Sequence, residues 1–174
     1  MILSRHHSSL LSCSVLMAAL LTVACSTPPS PRQASFDPQE YAPYAKAGHG
    51  TITGQVSLKN VDGAVTSGGG CKEVFLEPVT SYSSEWIERA VMRNETLSAP
   101  DSRAITYRRT TSTDGLGNFR FDKLPAGSYY VSCMMQYDRW IMTGQRPTMF
   151  LENVWIHSRV DLDHGEHGKV FLAH

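Results

Sequence analysis

The chain has 174 residues, and lysine plus arginine equal aspartate plus glutamate at 16 each, so the formal net charge is zero. A nucleic-acid-binding protein would need a clustered basic surface. The sequence has no dense basic run, so nucleic acid is excluded as a predicted partner. Aromatic and β-branched residues are frequent after Gly50, and the length fits one domain with a genuine core.

Residues 1–24 are predicted to be an export signal and not part of the fold. Arg5 is the only strong positive charge near the start, and residues 10–23 are almost wholly apolar. A positive start, an apolar run of about 7–15 residues and a small residue at its end are typical of a secretory signal peptide. A membrane-spanning helix would need about 20 apolar residues.

The signal ends at Thr22-Val23-Ala24-Cys25, which resembles the bacterial lipobox, although Thr22 stands where leucine is commonest. The resemblance implies that Cys25 is acylated, becomes the mature N-terminus and holds the protein to a membrane. The alternative is an ordinary cleaved signal in which Cys25 has no role. Ser26, where an aspartate would imply inner-membrane retention, implies the outer membrane and a periplasm-facing protein.

Residues 25–47 are predicted to be the lipidated cysteine and a semi-extended tether, followed by one domain over residues 48–174. The tether carries five prolines and few aliphatic residues, namely Pro28, Pro29, Pro31, Pro38 and Pro43. Such a composition cannot bury enough surface to order itself. The alternative is that Tyr41 and Tyr44 pack back on the domain.

From His49 onward the pattern changes to short alternating runs bounded by glycine, proline and aspartate. Ile52 and Val56, for example, fall on one face of the first run. This spacing predicts an antiparallel sandwich or barrel. The predicted strands are residues 51–58, 73–78, 105–111, 118–121, 128–135, 150–156, 159–162 and 169–172.

One helix is predicted within residues 79–104. Ser83 or Ser84 is its expected N-cap and Glu85 favours the first-turn dipole, with an end near Asn94. An apolar stripe at helical spacing is expected to face the core. The stripe consists of Trp86, Ile87, Ala90 and Val91.

The strongest internal signal is residues 113–131, Thr-Asp-Gly-Leu-Gly-Asn-Phe-Arg-Phe-Asp-Lys-Leu-Pro-Ala-Gly-Ser-Tyr-Tyr-Val. It encodes two strands and two tight turns, and its glycines and Asp114 supply the turn chemistry. The predicted core residues are Phe119, Phe121, Leu124 and Tyr130.

This motif resembles the carboxypeptidase regulatory-like domain, also called transthyretin-like or prealbumin-like, whose members carry Thr-Asp-x-x-Gly-x-Phe-x-Phe and then Leu-Pro-x-Gly-x-Tyr. The resemblance implies a mainly β, antiparallel Ig-like sandwich, here with one short helical insertion at residues 79–104. It says almost nothing about activity, because the signature residues form turns and core. Nothing resembles the zinc peptidase that this module accompanies, so no peptidase activity follows.

Cys71 and Cys133 are the cysteines beyond Cys25 in the mature chain. An exported protein is permitted to oxidise such a pair, so a disulfide between them is predicted. Two separate buried thiols are the alternative. No Cys-x-x-Cys is present, so a redox-active dithiol is not predicted.

The C-terminal tail concentrates histidines and acids that suit zinc, nickel or copper. His164 and His167 stand three apart, with His157 and His174 nearby. The tail is predicted to be a hairpin turn between residues 159–162 and 169–172, which explains every residue without a metal. A metal site at His157, His164 and His167 is the alternative, and no cofactor is expected.

An aromatic binding surface is a further candidate, formed by Trp86, Tyr137, Trp140 and Trp155. The Tyr-Asp-Arg-Trp run at 137–140 has a composition enriched at protein interfaces. Hairpin stability, and core packing for Trp86, are the competing interpretations.

The leading functional hypothesis is a non-catalytic envelope lipoprotein that presents a β-sandwich to an unidentified protein or polymer partner. No Ser/His/Asp elbow, paired-carboxylate motif or phosphate-binding loop is visible in the sequence. The alternatives are a periplasmic metal-binding protein that uses the His-rich tail and an uncharacterised hydrolase.

Overall fold

The computed structural model describes residues 28–59, 65–67 and 71–173 as two β-sheets packed face to face, with a few short helices. The predicted mainly β sandwich is confirmed. The predicted export signal and Cys25 lie outside the described residues. The strands are β1 (Gly50–Lys59), β2 (Val65–Ser67), β3 (Glu73–Pro78), β4 (Arg109–Ser112), β5 (Asn118–Leu124), β6 (Gly127–Thr143), β7 (Arg146–Leu162) and β8 (His167–Ala173).

The first sheet is built around β1, which pairs antiparallel with β2 and β5 and parallel with β8. Ile52 and Val56 are buried, as the alternation predicts. Gly54 lies between them opposite Phe119, and a Cβ there would come within 2.3 Å of the Phe119 ring. Glycine at this position therefore lets the phenylalanine lie across β1.

The second sheet has the order β4-β3-β6-β7, and all of its pairings are antiparallel. Tyr129, Val131, Cys133 and Met135 of β6 point into the core. Phe119, Phe121 and Leu124 are buried as predicted, but the prediction that Tyr130 is a core residue is wrong. Since successive strand residues face opposite sides, Tyr129 takes the core position and Tyr130 faces outward, where its hydroxyl lies 3.2 Å from that of Ser84.

A disulfide joins Cys71 to Cys133, as predicted. Cys133 lies opposite Val74 in the β3–β6 ladder, and Cys71 precedes β3. The two Cα atoms are 6.0 Å apart, within the range that the bridge requires. The cross-link is buried in the core beside Met135 and Ile156.

The C-terminal tail forms a corner between the sheets and not the predicted hairpin. β7 pairs with β6 in the second sheet, whereas β8 pairs with β1 in the first. The intervening turn is closed by the N–H of Glu166 on the carbonyl of Asp163, 3.2 Å away. Val160 and Leu162 thus end one layer while Val170 and Leu172 start the other, which gives the alternation that the sequence suggested.

The insertion between β3 and β4 contains more than one helix. Helix α2 (Ser81–Trp86) continues as a π-helical segment (Ile87–Met92), and helix α3 (Ser102–Ile105) follows. The N-cap is Thr80 and not Ser83 or Ser84, because Thr80 and Ser83 bond each other's backbone N–H as a capping box. Asn94 ends the segment in the left-handed region, at φ 55°.

The strand predicted over residues 105–111 is wrong in its first half. Asp101 caps helix α3, accepting from the N–H of Arg103 at 2.9 Å, so Ile105 is helical and exposed. β4 begins only at Arg109.

Residues 28–47, called here the N-terminal strap, lie against the sandwich, so the prediction of a semi-extended tether is wrong for them. The strap contains helix α1 (Pro38–Tyr41) and a 3₁₀ turn (Ala42–Tyr44). Tyr41 is only 2% exposed, and its ring lies 4.8 Å from that of Tyr107. The alternative interpretation, that Tyr41 and Tyr44 pack on the domain, is confirmed.

The strap is also held by one carboxylate. Glu85 of α2 accepts from the N–H of Gln33 at 2.8 Å and of Ala34 at 3.0 Å, and Arg89 donates to it at 2.7 Å. Burial opposes ionisation of Glu85, but the three donors together lower its pKa below the ordinary value of 4.5. The charged form of Glu85 therefore fastens the strap to the insertion.

Candidate binding surfaces

The hairpin of β6 and β7 extends well past the sandwich. β3 pairs with β6 only from Val74 opposite Cys133 to Pro78 opposite Tyr129, whereas the β6–β7 ladder continues to Thr143 opposite Arg146. We call residues 136–153 the β-arm. Its eight residues of β6 span about 26 Å at the usual rise of a strand.

A two-residue loop closes the β-arm. Gly144 has φ 67°, the conformation that a type II′ turn requires at its first central position. This turn matches the twist of the flanking strands. Glycine at position 144 therefore favours the reversal of the chain at the end of the arm.

The β-arm exposes large apolar side chains on both of its faces. Trp140 is 65% exposed and lies opposite Met149 on one face, while Phe150, opposite Arg139, is exposed on the other. Contiguous apolar patches of this kind mark contact sites. The exposed set is Trp140, Ile141, Met142, Met149, Phe150 and Leu151.

Polar contacts stabilise the base of the β-arm. Glu152 accepts from the Tyr137 hydroxyl and from Arg139, each at 2.7 Å. The bond to Glu152 raises the pKa of Tyr137, so this hydroxyl keeps its proton and its donor role. Tyr137 is thereby part of the hairpin's own structure.

The four aromatic residues predicted as one binding surface are not brought together. Trp86 of α2 packs edge-on against Trp155 at 5.0 Å, and Trp155 also lies 6.0 Å from Phe75. Trp140 and Trp155 share a side of the sheet, but six residues of strand, about 20 Å, separate their ladder positions. Trp86 and Trp155 dock the insertion on the sheet, and only Trp140 is a free aromatic surface.

A second aromatic surface lies at the opposite end of β6. Tyr44, Ala45, Thr106, Tyr107 and Arg109 line an open groove of about 320 Å³. We call it the tyrosine groove. Its two rings come from the strap and from the residues just before β4.

The walls of the tyrosine groove are held in place by bonds to the backbone. The Tyr44 hydroxyl donates to the carbonyl of Ser128 at 3.1 Å and accepts from its N–H at 3.2 Å. Burial raises the pKa of Tyr44, which keeps this hydroxyl protonated. Arg109 donates to the carbonyls of Asp122 and Lys123.

Charged groups lie near Tyr44 at the end of the groove where β6 and β7 meet. Asp161 accepts from the Ser128 hydroxyl and from Arg159, whose guanidinium also lies 3.1 Å from that hydroxyl. The Ser128 bond lowers the pKa of Asp161, so the carboxylate is ionised at neutral pH. Aromatic walls beside fixed polar groups suit a ligand with both apolar and hydroxylated surfaces.

The histidines of the predicted alternative metal site lie on different elements. His157 is opposite Ser132 on β7, His164 is in the turn, and His167 starts β8 opposite Thr51. Within residues 28–59, 65–67 and 71–173, no group of three or more histidine, cysteine or acidic side chains could hold a metal ion. Burial lowers the pKa of His157.

The sequence matches no family model and no curated protein. Among solved structures, the crystal structure of a proposed carbohydrate-binding protein of Pseudomonas aeruginosa is similar to this chain, with 28% identity and a TM-score of 0.69. The likeness covers 81% of this chain and 99% of that one. It supports the sandwich fold. No helix in the described part of the chain is long and apolar enough to cross a membrane.

Sequence reasoning missed the tyrosine groove because its parts were placed in a tether and in a strand. Tyr44 and Tyr107 are 63 residues apart in sequence and meet only when the strap folds back. The available signal was the pair of tyrosines after Pro38, since aromatic residues are unusual in a spacer. The apolar tip at residues 139–151 was visible in sequence, but its exposure was not.

Proposed function

We propose that this protein is a non-catalytic, lipid-anchored protein of the bacterial envelope whose sandwich binds a carbohydrate polymer. The lipobox-like end at Cys25 supports the anchor, and the motif at residues 113–131 supports a carboxypeptidase regulatory-like module. Modules of this kind serve as scaffolds, so the function is assigned from the groove. The protein would sit on the periplasmic side of the outer membrane.

The observation that carries the carbohydrate proposal is the tyrosine groove, on a scaffold similar to that of the Pseudomonas protein. A sugar ring has apolar C–H faces that pack on aromatic rings, and hydroxyls that both donate and accept. Tyr44 and Tyr107 offer such rings. Arg109 lines the groove and has five N–H donors, and the Asp161 carboxylate near Tyr44 has acceptor oxygens.

The test is a calorimetric titration of the purified protein with soluble β-glucan, N-acetylglucosamine and uronate oligosaccharides. Tyr107→Leu keeps apolar volume beside Tyr41 but removes the ring, and we expect it to weaken binding at least tenfold. Tyr137→Leu is the matched control, because Tyr137 lies nine residues along β6 from Ser128, about 30 Å away.

Equal loss of binding in Tyr107→Leu and Tyr137→Leu would place the ligand outside the groove. No binding of any oligosaccharide class by the wild-type protein would contradict the carbohydrate proposal. The anchor is tested separately by mass spectrometry of the protein from its own envelope. Cys25→Ser should remove a lipid mass increment, and a wild-type protein without that increment would exclude the anchor.

A further inference from the structure

We propose that the tip of the β-arm, residues 139–151, inserts into the interfacial layer of a lipid bilayer. Six of these thirteen residues are apolar. Trp140, Met142 and Leu151 are each more than half exposed. Tryptophan is enriched where a membrane meets water, because its ring is apolar and its N–H is polar. The inserting group is therefore a side-chain cluster, and not the export signal.

The apolar side chains of the tip lie on two faces, which favours a partner that surrounds the tip over one that covers a single face. Trp140, Met149 and Leu151 lie on one face of the ribbon, and Ile141 and Phe150 on the other. A flat partner such as a polymer or another sheet would cover one face and leave the second in water. A lipid layer covers both at once.

The charges of the tip fit an anionic surface. Arg139 and Arg146 are the only charged residues within 139–151, whereas Asp138 and Glu152 stand just outside it. Arg139 donates to Glu152 at the base, so Arg146 beside the loop would meet lipid headgroups first. A basic residue near such a surface is attracted to it electrostatically.

The depth of insertion is limited by the backbone. Within the arm, β6 and β7 pair with each other and with no further described strand. The outer edges of the ribbon thus keep N–H and C=O groups that need water or headgroups, and open sheet edges do not enter the hydrocarbon core. The tip therefore stays at the interface.

The start of the strap lies on the same side of the second sheet as Trp140. The strap reaches Ser30, which bridges to Leu97, and Arg89 holds the carbonyl of Pro31 at 2.9 Å. Arg89 belongs to the insertion that Trp86 docks onto Trp155. Cys25 is three residues before Pro28, a reach of about 10 Å at most. A lipid on Cys25 would therefore lie on the side of the sheet that carries Trp140. This step rests on the lipid anchor of the proposed function.

The experiment uses the whole protein, purified from its own envelope and reconstituted into vesicles of phosphatidylcholine and phosphatidylglycerol. Bromine atoms on the upper acyl positions quench tryptophan that enters the interface. Trp140→Phe identifies the contribution of Trp140, since Phe keeps the apolar surface. The emission of Trp140 is the difference between the emission of the wild-type protein and that of Trp140→Phe. We expect bromolipids to remove more than half of this difference. Vesicles without phosphatidylglycerol should show less quenching.

Leu151→Gln should lower the quenching several-fold, whereas Thr110→Gln, a change at an exposed polar position of β4 outside the tip, should leave it unchanged. The Tyr107→Leu variant should also show wild-type quenching, which separates this result from carbohydrate binding. Unquenched Trp140 in protein that carries its lipid would overturn the inference while the anchor stands. Unquenched Trp140 together with cross-links from the tip to a protein would assign the arm to a protein partner instead.

Discussion

The two halves of the β6–β7 hairpin share one ladder but lie in opposite environments. In the inner half, the side chains that face the first sheet are buried, and Met135 is 0% exposed. In the β-arm, Ile141 has the same parity as Met135 and is exposed, while Met142 on the other face is 66% exposed. The ladder hydrogen bonds are alike, so the difference is the second layer, which stops where the arm begins.

The comparison shows that alternation of residues determines burial only where another sheet is present. In the inner half, burial of one face stabilises the fold, since each large apolar side chain contributes about 1.5–3 kcal/mol. In the arm, the same residue types are buried only in part and gain less from the fold. The free energy of burying their exposed surface is left for a contact outside the molecule.

Removing the disulfide should have the largest effect on the inner half. Cys71→Ala with Cys133→Ala opens a loop with a sequence separation of 62 residues, and the chain-entropy model gives a loss of about 4 kcal/mol. Denaturant unfolding measures it. A double variant as stable as the wild type would show that the inner half does not depend on the cross-link.

Met135→Ala tests burial in the inner half directly. Met135 is in the core cluster, and truncating a buried methionine costs about 2–5 kcal/mol through lost transfer energy and a cavity. Thermal and urea unfolding give the value. A cost below about 1 kcal/mol would mean that the sandwich relaxes at the point where the arm leaves it.

Acidification should release the strap, which forms one wall of the groove at the inner end of the hairpin. Because the folded-state pKa of Glu85 is lowered, its stabilisation is complete above the ordinary value of 4.5 and is lost as the pH falls through the lowered value. The protection of the Gln33 and Ala34 amides against hydrogen exchange, relative to the intrinsic rate at each pH, should therefore fall below pH 4.5. Glu85→Gln should weaken the strap already at pH 7, by about 1–3 kcal/mol. Unchanged exchange in Glu85→Gln would show that the aromatic contacts alone hold it.

The turn after β7 should tolerate change. His164→Asn with His167→Asn alters two exposed side chains, so stability should change by less than about 1 kcal/mol. Calorimetry with zinc, nickel and copper should find no submicromolar binding. Stoichiometric tight binding that disappears in the double variant would favour the metal-binding alternative.

Met142→Ala should have the smallest effect and completes the pair with Met135→Ala. The residue type, the strand and the substitution are the same, but Met142 is exposed, so stability should change by about 0.5 kcal/mol or less. The same unfolding measurements apply. A cost equal to that of Met135→Ala would show that the arm is packed in solution, as in a dimer.

The sequence by itself determined the features that depend on near neighbours. Turn glycines, alternating phenylalanines and the Leu-Pro-x-Gly run predict β5 and the start of β6, because each signal lies within one or two turns of chain. The disulfide between Cys71 and Cys133 was also predictable, since an exported chain with one remaining pair has few choices. The burial of Phe119, Phe121 and Leu124 followed from the same pattern.

Only the tertiary structure decided the features that depend on a distant partner. The strap has the composition of a spacer. Its position on the domain depends on the contact of Tyr41 with Tyr107 and on the hydrogen bonds of Glu85 with the Gln33 and Ala34 amides. The tail has the sequence pattern of a hairpin, but β8 pairs in parallel with β1. The sequence predicts strands only over residues 128–135 and 150–156, and the exposed extension of β6 and β7 between them depends on where the opposing sheet ends. In each case the local residues are compatible with two environments, and the presence or absence of a second layer selects one.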